Sequence, residues 1–309
     1  MLLFGVKQRY IYSELAGGLG NQVFIYEFAK YISSIFGGMI ILNTRHIDRK
    51  HSKGKSTIED FELNPSTKIV DLSILSTALF MRLKKFLRVF NKFNQSFMLI
   101  LDESDNSLDK SMIYDLVFER NPRFILIFGF WQNFNYWSME TSYTLKNESK
   151  YFLELQEKMS VQNPIVFHYR LGVLNKGWEQ NWGVLSTEFL LDSIKKFNVS
   201  TTHSPKILWV FSNDLNYART LLCDSIFSQD LKVEMIEDLM LTPAELMLLI
   251  SKSKFLICSN STFSLAAAKF GKIANVVIPS SLCRYDEINI FPPIHWTQVQ
   301  SKWLDYNFE

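Results

Sequence analysis

Cysteine is scarce in this chain: there are three in 309 residues, Cys223, Cys258 and Cys283. They are too few and too scattered for a disulfide framework and lack metal-ligand spacing, which fits a reducing cytoplasm. Net charge is also nearly absent. With 33 basic and 31 acidic residues, for a balance of +2, no global field selects a nucleic acid as partner, so local basic sites must bind any anion. No uncharged run is long enough to cross a bilayer. The apolar opening Met1-Leu2-Leu3-Phe4-Gly5-Val6 meets Lys7 and Arg9 too soon for a signal-peptide core or a membrane span. The full Gly-x-x-x-x-Gly-Lys-Ser/Thr phosphate loop is missing as well, since Gly54-Lys55-Ser56 has Arg49 where the first glycine belongs. What the chain does have is apolar bulk: a hydrophobic content of 47% is ample for two α/β cores.

The run Gly17-Gly18-Leu19-Gly20-Asn21-Gln22 follows an apolar, strand-like stretch from Tyr10 to Leu15 and opens a helical one from Val23 to Ile35. Three glycines let backbone approach a ligand without Cβ interference, and the helix start offers unpaired N–H groups and a positive dipole end. Val23 occupies the place of the third small residue of a nicotinamide fingerprint, so that cofactor does not fit. On its own the run reads equally as a ligand loop or as a close-packing turn.

Further along, strands are expected at Met39 to Leu42 and Phe124 to Phe130, with polar loops at Arg45 to Lys55 and Asp102 to Lys110. Phe80 to Phe93 is helical by period, with Phe80, Leu83, Phe86, Leu87 and Phe90 opposite Arg82, Lys84, Lys85, Arg88 and Lys92. It reads as an ordinary helix with a solvated face, the alternative being a helix lying on an anionic membrane surface. Strands are expected again at Ile165 to Arg170, Ile207 to Phe211, Phe255 to Cys258 and Ala274 to Ile278. Helices are expected at Thr187 to Phe197, Leu215 to Phe227, Pro243 to Ser253 and Thr262 to Phe270. Thr242-Pro243-Ala244-Glu245 is a capping box with proline at the first helical position. Strands alternating with helices predict parallel sheets in two Rossmann-like halves. The expected division is 1–155, 156–295 and a segment 296–309 packing back on the first half, with the linker between Asn147 and Asn163.

Three more segments share an order with the glycine run. They are Gly129-Phe130-Trp131-Gln132, His168-Tyr169-Arg170-Leu171-Gly172, and the pair Phe211-Ser212-Asn213-Asp214 with Ser259-Asn260-Ser261-Thr262-Phe263-Ser264. Together the four resemble the α-1,2-fucosyltransferases, glycosyltransferase family 11, in which L-fucose passes from GDP-fucose to a galactose hydroxyl. The resemblance implies a GT-B architecture, α/β with two Rossmann-like domains facing a cleft. Animal members carry a membrane anchor, and its absence here points to the bacterial branch. The implied protein is cytoplasmic, or peripheral on the inner face of the inner membrane, and works on a galactose-terminated oligosaccharide or lipid-linked glycan such as an O-antigen unit.

In such an enzyme the diphosphate charge must be stabilised as the sugar departs. An Asp-x-Asp motif holding a metal is one solution, and the chain has none. The expected substitute is arginine, whose planar fork binds phosphate bidentately, so no metal or other cofactor is expected. Arg170 is assigned to the leaving group, with His168 beside it on phosphate, ribose or base. The alternatives are a structural ion pair and a satisfied core histidine. Asp214 would accept both donors of the guanine edge or simply cap the following helix, and Ser261, Thr262 and Phe263 would hold the β-phosphate at a second helix start. Gly18, Gly20, Asn21 and Gln22 complete the donor-binding set, and their loop also borders the acceptor cleft. Trp131, Gln132, Trp178 and Trp182 would line that cleft, with burial in the core as the alternative for each tryptophan. The family's usual His-x-Arg-Arg-Gly-Asp reads here His168-Tyr169-Arg170-Leu171-Gly172-Val173, so its second arginine and its aspartate are missing. Glu179 is the substitute base by position, unless the departing β-phosphate takes the proton. Loss of two motif residues also leaves open an inactive nucleotide- or carbohydrate-binding homologue.

Overall fold

The computed structural model describes residues 8–47, 57–73, 79, 82, 83, 85–89, 96–104, 108–138, 141–171, 182–197, 205–226, 231–237, 240–284 and 292–304. The chain forms two compact units, Met1–Thr141 and Ser142–Glu309.

The first unit holds five parallel strands, β1 (Tyr10–Ala16), β2 (Met39–His46), β3 (Thr67–Val70), β4 (Met98–Asp102) and β5 (Phe124–Phe128), in the order β3-β2-β1-β5-β4. Helices α1 (Leu19–Phe36) and α2 (Lys110–Arg120) accompany them. The chain winds outward from β1 through β2 to β3, then returns on the other side of β1, so the topological switch lies between β1 and β5. Crevices at such switch points, beyond the carboxyl ends of the strands, are where open α/β sheets take ligands.

The second unit is built alike. Its strands are β6 (Ile165–Tyr169), β7 (Ile207–Ser212), β8 (Lys232–Met235), β9 (Phe255–Cys258), β10 (Asn275–Pro279) and β11 (Thr297–Val299), ordered β11-β10-β9-β6-β7-β8 with the switch between β6 and β9. The helices are α3 (Lys150–Gln162), α4 (Thr187–Phe197), α5 (Leu215–Ile226), α6 (Pro243–Ser251) and α7 (Thr262–Phe270). Every residue of β6 is buried, the signature of a parallel strand covered on both faces. Phe167, Tyr169, Leu185, Phe189, Leu208 and Ile257 meet in one apolar cluster, each contributing about 1.5–3 kcal/mol by leaving water.

Two expectations about organisation are corrected. The stretch expected to be a linker is mostly helix α3, started by the Ser149 hydroxyl accepting from the Phe152 N–H at 3.1 Å and buried through Phe152, Leu155 and Met159. It is tied to α6, because the Ser149 N–H donates to Glu245 at 2.7 Å, so the division falls at Thr141 and not at 155. The described part of the C-terminal segment, 296–304, belongs to the second unit. β11 extends that unit's sheet beyond β10, Trp303 bridges Leu185, and Lys302 pairs with Asp192 at 2.8 Å.

Residues 85–89 are helical, as expected. Leu83 and Leu87 line a cavity of about 150 Å³ with Tyr12, Glu14, Leu126 and Phe128, and Arg88 pairs with Asp102 at 2.9 Å. Among the described residues no helix is long and apolar enough to cross a membrane.

Candidate functional site

The four motifs fall at the two switch points, two to each sheet. In the first unit Gly17, at φ 69°, turns the chain out of β1. A Cβ there would meet Asn21 Nδ2 at 2.5 Å, so the turn requires glycine. Gly18 is the N-cap of α1 without a side-chain cap, and nothing lies within 4 Å of where its Cβ would be. Across the switch, Gly129 at φ 109° starts the turn after β5. Glu103, just past β4, accepts the Phe130 N–H at 2.5 Å and the Gln132 N–H at 3.3 Å. Gln132 Nε2 donates to Asn21 Oδ1 at 3.1 Å, joining the two motifs.

Two residues assigned to ligands in this unit are structural. Gln22 is fully buried, donating to the Gly17 carbonyl at 3.1 Å and accepting from the Ile58 N–H at 3.3 Å, so both ends of its amide brace the turn. Trp131 lies in the core. Its ring stacks on Phe28 with centroids 3.8 Å apart, and its indole N–H donates to the Phe128 carbonyl at 3.0 Å. Gly20 is buried in the first turn of α1.

In the second unit, three loops converge behind β6. The Arg170 N–H donates to Ser259 Oγ at 3.3 Å, from the end of β9, and the Leu171 N–H donates to Asn213 Oδ1 at 2.9 Å, from the end of β7. Asn260 Nδ2 donates to the carbonyls of Trp182 at 3.0 Å and Gly183 at 3.1 Å. Arg170 is thereby set by its two neighbouring strands. Burial lowers its guanidinium below the usual value, yet arginine stays protonated in proteins. His168 stacks on Phe263, centroids 5.0 Å apart and 25° between planes.

The helix starts at this edge are capped as the sequence suggests. Ser261 caps α7, its Oγ accepting from the Phe263 N–H at 3.3 Å, and Thr262 follows half-buried in the first turn. Asp214 Oδ1 accepts the Tyr217 N–H at 2.9 Å at the start of α5, so the capping alternative is realised. Trp182 is half-buried and enters through its carbonyl. Trp178 and Glu179 lie outside the described residues. Among the described residues no group of three or more His, Cys, Asp or Glu could hold a metal ion.

Ordering of the second-unit site rests on Asn213, Ser259 and Asn260, and that of the first-unit turn on Glu103; none is among the expected ligand groups. Three carry a legible signal: a Ser-Asn pair stands at the end of both flanking strands, as Ser212-Asn213 and Ser259-Asn260.

Burial, then the charge of Arg170, pushes the His168 imidazole down from 6.5 to about 3. It is neutral in the folded protein at neutral pH. The unfolded chain binds the proton that the folded one refuses. Stability from this group is therefore full above about pH 6.5 and lost as pH falls toward 3. Lowering the pH from about 7.5 to 5.0 should remove about 2 kcal/mol from the wild type through this group but not from His168→Gln. Urea unfolding at both pH values checks this, and equal losses in the two proteins would contradict it.

No family model matches the chain. It is 25% identical over 303 residues to an α-1,2-colitosyltransferase of Escherichia coli, covering 94% of this chain and 99% of that protein. Its fold is similar to that of an Arabidopsis thaliana FUT1 mutant in complex with GDP, with TM-score 0.50 and 16% identity over 87% of this chain and 70% of that one. NodZ α-1,6-fucosyltransferase soaked with GDP-fucose aligns at TM-score 0.49 and 11% identity, over 87% and 94% of the two chains. Two parallel Rossmann-like sheets in this arrangement make the GT-B glycosyltransferase fold, and the chain that carries it is similar over nearly its whole length to an α-1,2-linking glycosyltransferase.

Proposed function

We propose that this protein is an inverting glycosyltransferase that moves L-fucose from GDP-L-fucose to the 2-position of a galactose in a bacterial surface glycan, without a metal. The observation that carries this reading is the convergence on Arg170: the loops after β7 and β9 hold its backbone and that of Leu171 at the switch point. A guanidinium fixed there can grip the β-phosphate with two parallel hydrogen bonds as charge develops on it. The N-terminus of α7, with Ser261 and Thr262, adds N–H donors and a positive dipole end to the same anion. The guanine edge falls to Asp214, whose Oδ1 already caps α5, so that contact draws on Oδ2. Glu179, or the departing phosphate itself, takes the acceptor proton. On the first unit, Gly18, Asn21 and Gln132 form the acceptor-facing turn.

A second reading follows from the colitosyltransferase relative. Colitose is L-fucose without its 3-hydroxyl, and sites treat the two unequally. One built to hydrogen-bond a hydroxyl rejects the deoxy analogue by about 10⁴–10⁵, whereas an apolar pocket rejects the extra hydroxyl by only about 10². Each GDP-sugar should therefore be incubated with galactose-terminated disaccharides, with and without excess EDTA, and the products weighed by mass spectrometry. The expected product carries one fucose and forms equally well in EDTA. Loss in EDTA that Mg²⁺ or Mn²⁺ restores would end the metal-free reading, and a product from GDP-colitose alone would move the donor to the second. If neither donor is transferred, nor slowly hydrolysed without acceptor, the chain is a binding homologue.

A further inference from the structure

The helix that follows β3 turns part of its apolar surface outward. Residues 79, 82, 83 and 85–89 are helical. Leu83 and Leu87 face the sheet, lining a cavity with Tyr12, Leu126 and Phe128, and Arg88 is held there by Asp102 at 2.9 Å and over the Phe128 ring at 5.8 Å. On the outward side, the i, i+3, i+7, i+10 spacing puts Leu79, Arg82, Phe86 and Val89 on one stripe, with Lys85 at its edge. Leu79 is 52% exposed, Phe86 62% and Val89 49%. A helix that merely covers a sheet turns its large apolar side chains inward and leaves polar ones to water. This stripe does the reverse, and apolar side chains exposed together mark an interaction surface.

The charge on this stretch is of one sign. From Leu72 to Leu101 the chain carries Arg82, Lys84, Lys85, Arg88 and Lys92 and not one Asp or Glu, in a protein whose bases and acids are nearly balanced overall, at 33 and 31. Arg88 is paired with Asp102, whereas Arg82 and Lys85 are exposed and have no ion-pair partner among the described residues. Apolar side chains and unneutralised cations on one surface select among partners. A second copy docking by this face would bring like charges together, which opposes a symmetric dimer. A nucleic acid would engage the cations but leave the leucine and valine surface without a partner. An anionic bilayer meets both needs. Leu79, Phe86 and Val89 enter the boundary between headgroups and acyl chains, while the stems of Arg82 and Lys85 lie along apolar surface with their charged ends at the level of the lipid phosphates.

We propose that this helix docks the first unit on a membrane rich in anionic phospholipid, lying in the interface plane without crossing it. Three apolar side chains and two exposed cations make the attachment weak and reversible. The cavity beneath the helix is walled by β1 and β5, which run on into the Gly17 and Gly129 turns. A docked membrane therefore stands about one helix diameter, roughly 10 Å, from the strands that lead into those turns. The docking does not depend on the function proposed above, and its test uses neither donor nor acceptor.

Co-flotation of the full chain with lipid vesicles tests this. The chain should float with vesicles of phosphatidylglycerol and phosphatidylcholine in equal parts and stay behind with phosphatidylcholine alone. Raising the salt from about 0.1 M to about 1 M shortens the screening length from about 10 Å to about 3 Å and should release most of the bound chain. The double variant Arg82→Gln, Lys85→Gln should lower the partition coefficient roughly 25-fold, about fivefold for each basic residue near an anionic surface. Phe86→Ser should lower it roughly tenfold through lost apolar burial. All three positions are exposed, so the unfolding curves of both variants should match that of the wild type. No flotation with the anionic vesicles, equal flotation with the neutral ones, or undiminished binding in either variant would overturn the proposal. So would a dimer that Phe86→Ser dissociates in a chain that does not float, which would make the stripe a contact between copies.

Discussion

Arg170→Ala is expected to lower kcat by a factor on the order of 10² to 10³, the usual loss when one preorganised charge-stabilising donor is removed. The position is held from three sides: β6 ends beneath it, Ser259 Oγ accepts its N–H, and Asn213 fixes the next residue. Its removal therefore takes away a guanidinium without releasing the backbone that carried it. Arg170→Lys should recover little, because an ammonium is a point charge and cannot reproduce the two parallel bonds of the fork. The fall should appear in kcat more than in KM for the acceptor, since the phosphate charge is greatest as the glycosidic bond breaks. Steady-state kinetics on the three proteins, with unfolding curves as a control, measure this. Near-full activity in Arg170→Lys would rule out bidentate phosphate binding.

Asn260→Leu should cost about 2–4 kcal/mol, because two carbonyls 77 and 78 residues away in sequence lose their donor together. Those carbonyls belong to Trp182 and Gly183, immediately before the segment that ties the C-terminal residues to the second unit. There the Leu304 N–H donates to the Val184 carbonyl at 2.8 Å and the Ser186 N–H to the Lys302 carbonyl at 2.7 Å. Releasing Asn260 should therefore speed hydrogen exchange at the Ser186 and Leu304 amides as well as lower the urea midpoint. Ser261→Ala supplies the scale, since it removes only the α7 cap and should cost about 1 kcal/mol. If Asn260→Leu shifts the midpoint no further than Ser261→Ala, Asn260 is not the anchor of this segment.

Much of the fold is legible in the sequence because its parallel strands are short apolar runs bounded by turn residues. β6, β7 and β9 announce themselves in this way. Edge strands do not: β3 and β8 are four residues long and β11 three, each only partly buried, so little apolar signal marks them. Helix α2 buries only Ile113 and Val117, and its period is correspondingly faint. Helix α3 was readable, with a serine cap and Phe152, Leu155 and Met159 on one face, but its charged outer face passes for a linker. At the sites, spacing locates a loop without saying which way a side chain points. Gln22 and Trp131 sit in the expected turns with their polar atoms facing inward. Arg170 and His168 could be placed at the strand end because two-residue spacing after a buried strand leaves few choices.

The central claim is that the nucleotide sits at the switch point of the second unit, and hydrogen exchange with and without saturating GDP tests it most directly. The expected result is slowed exchange at the Arg170 and Leu171 amides, at 213–217 and at 259–264. Protection confined to the glycine turn of the first unit, or absent from all three segments, would contradict it.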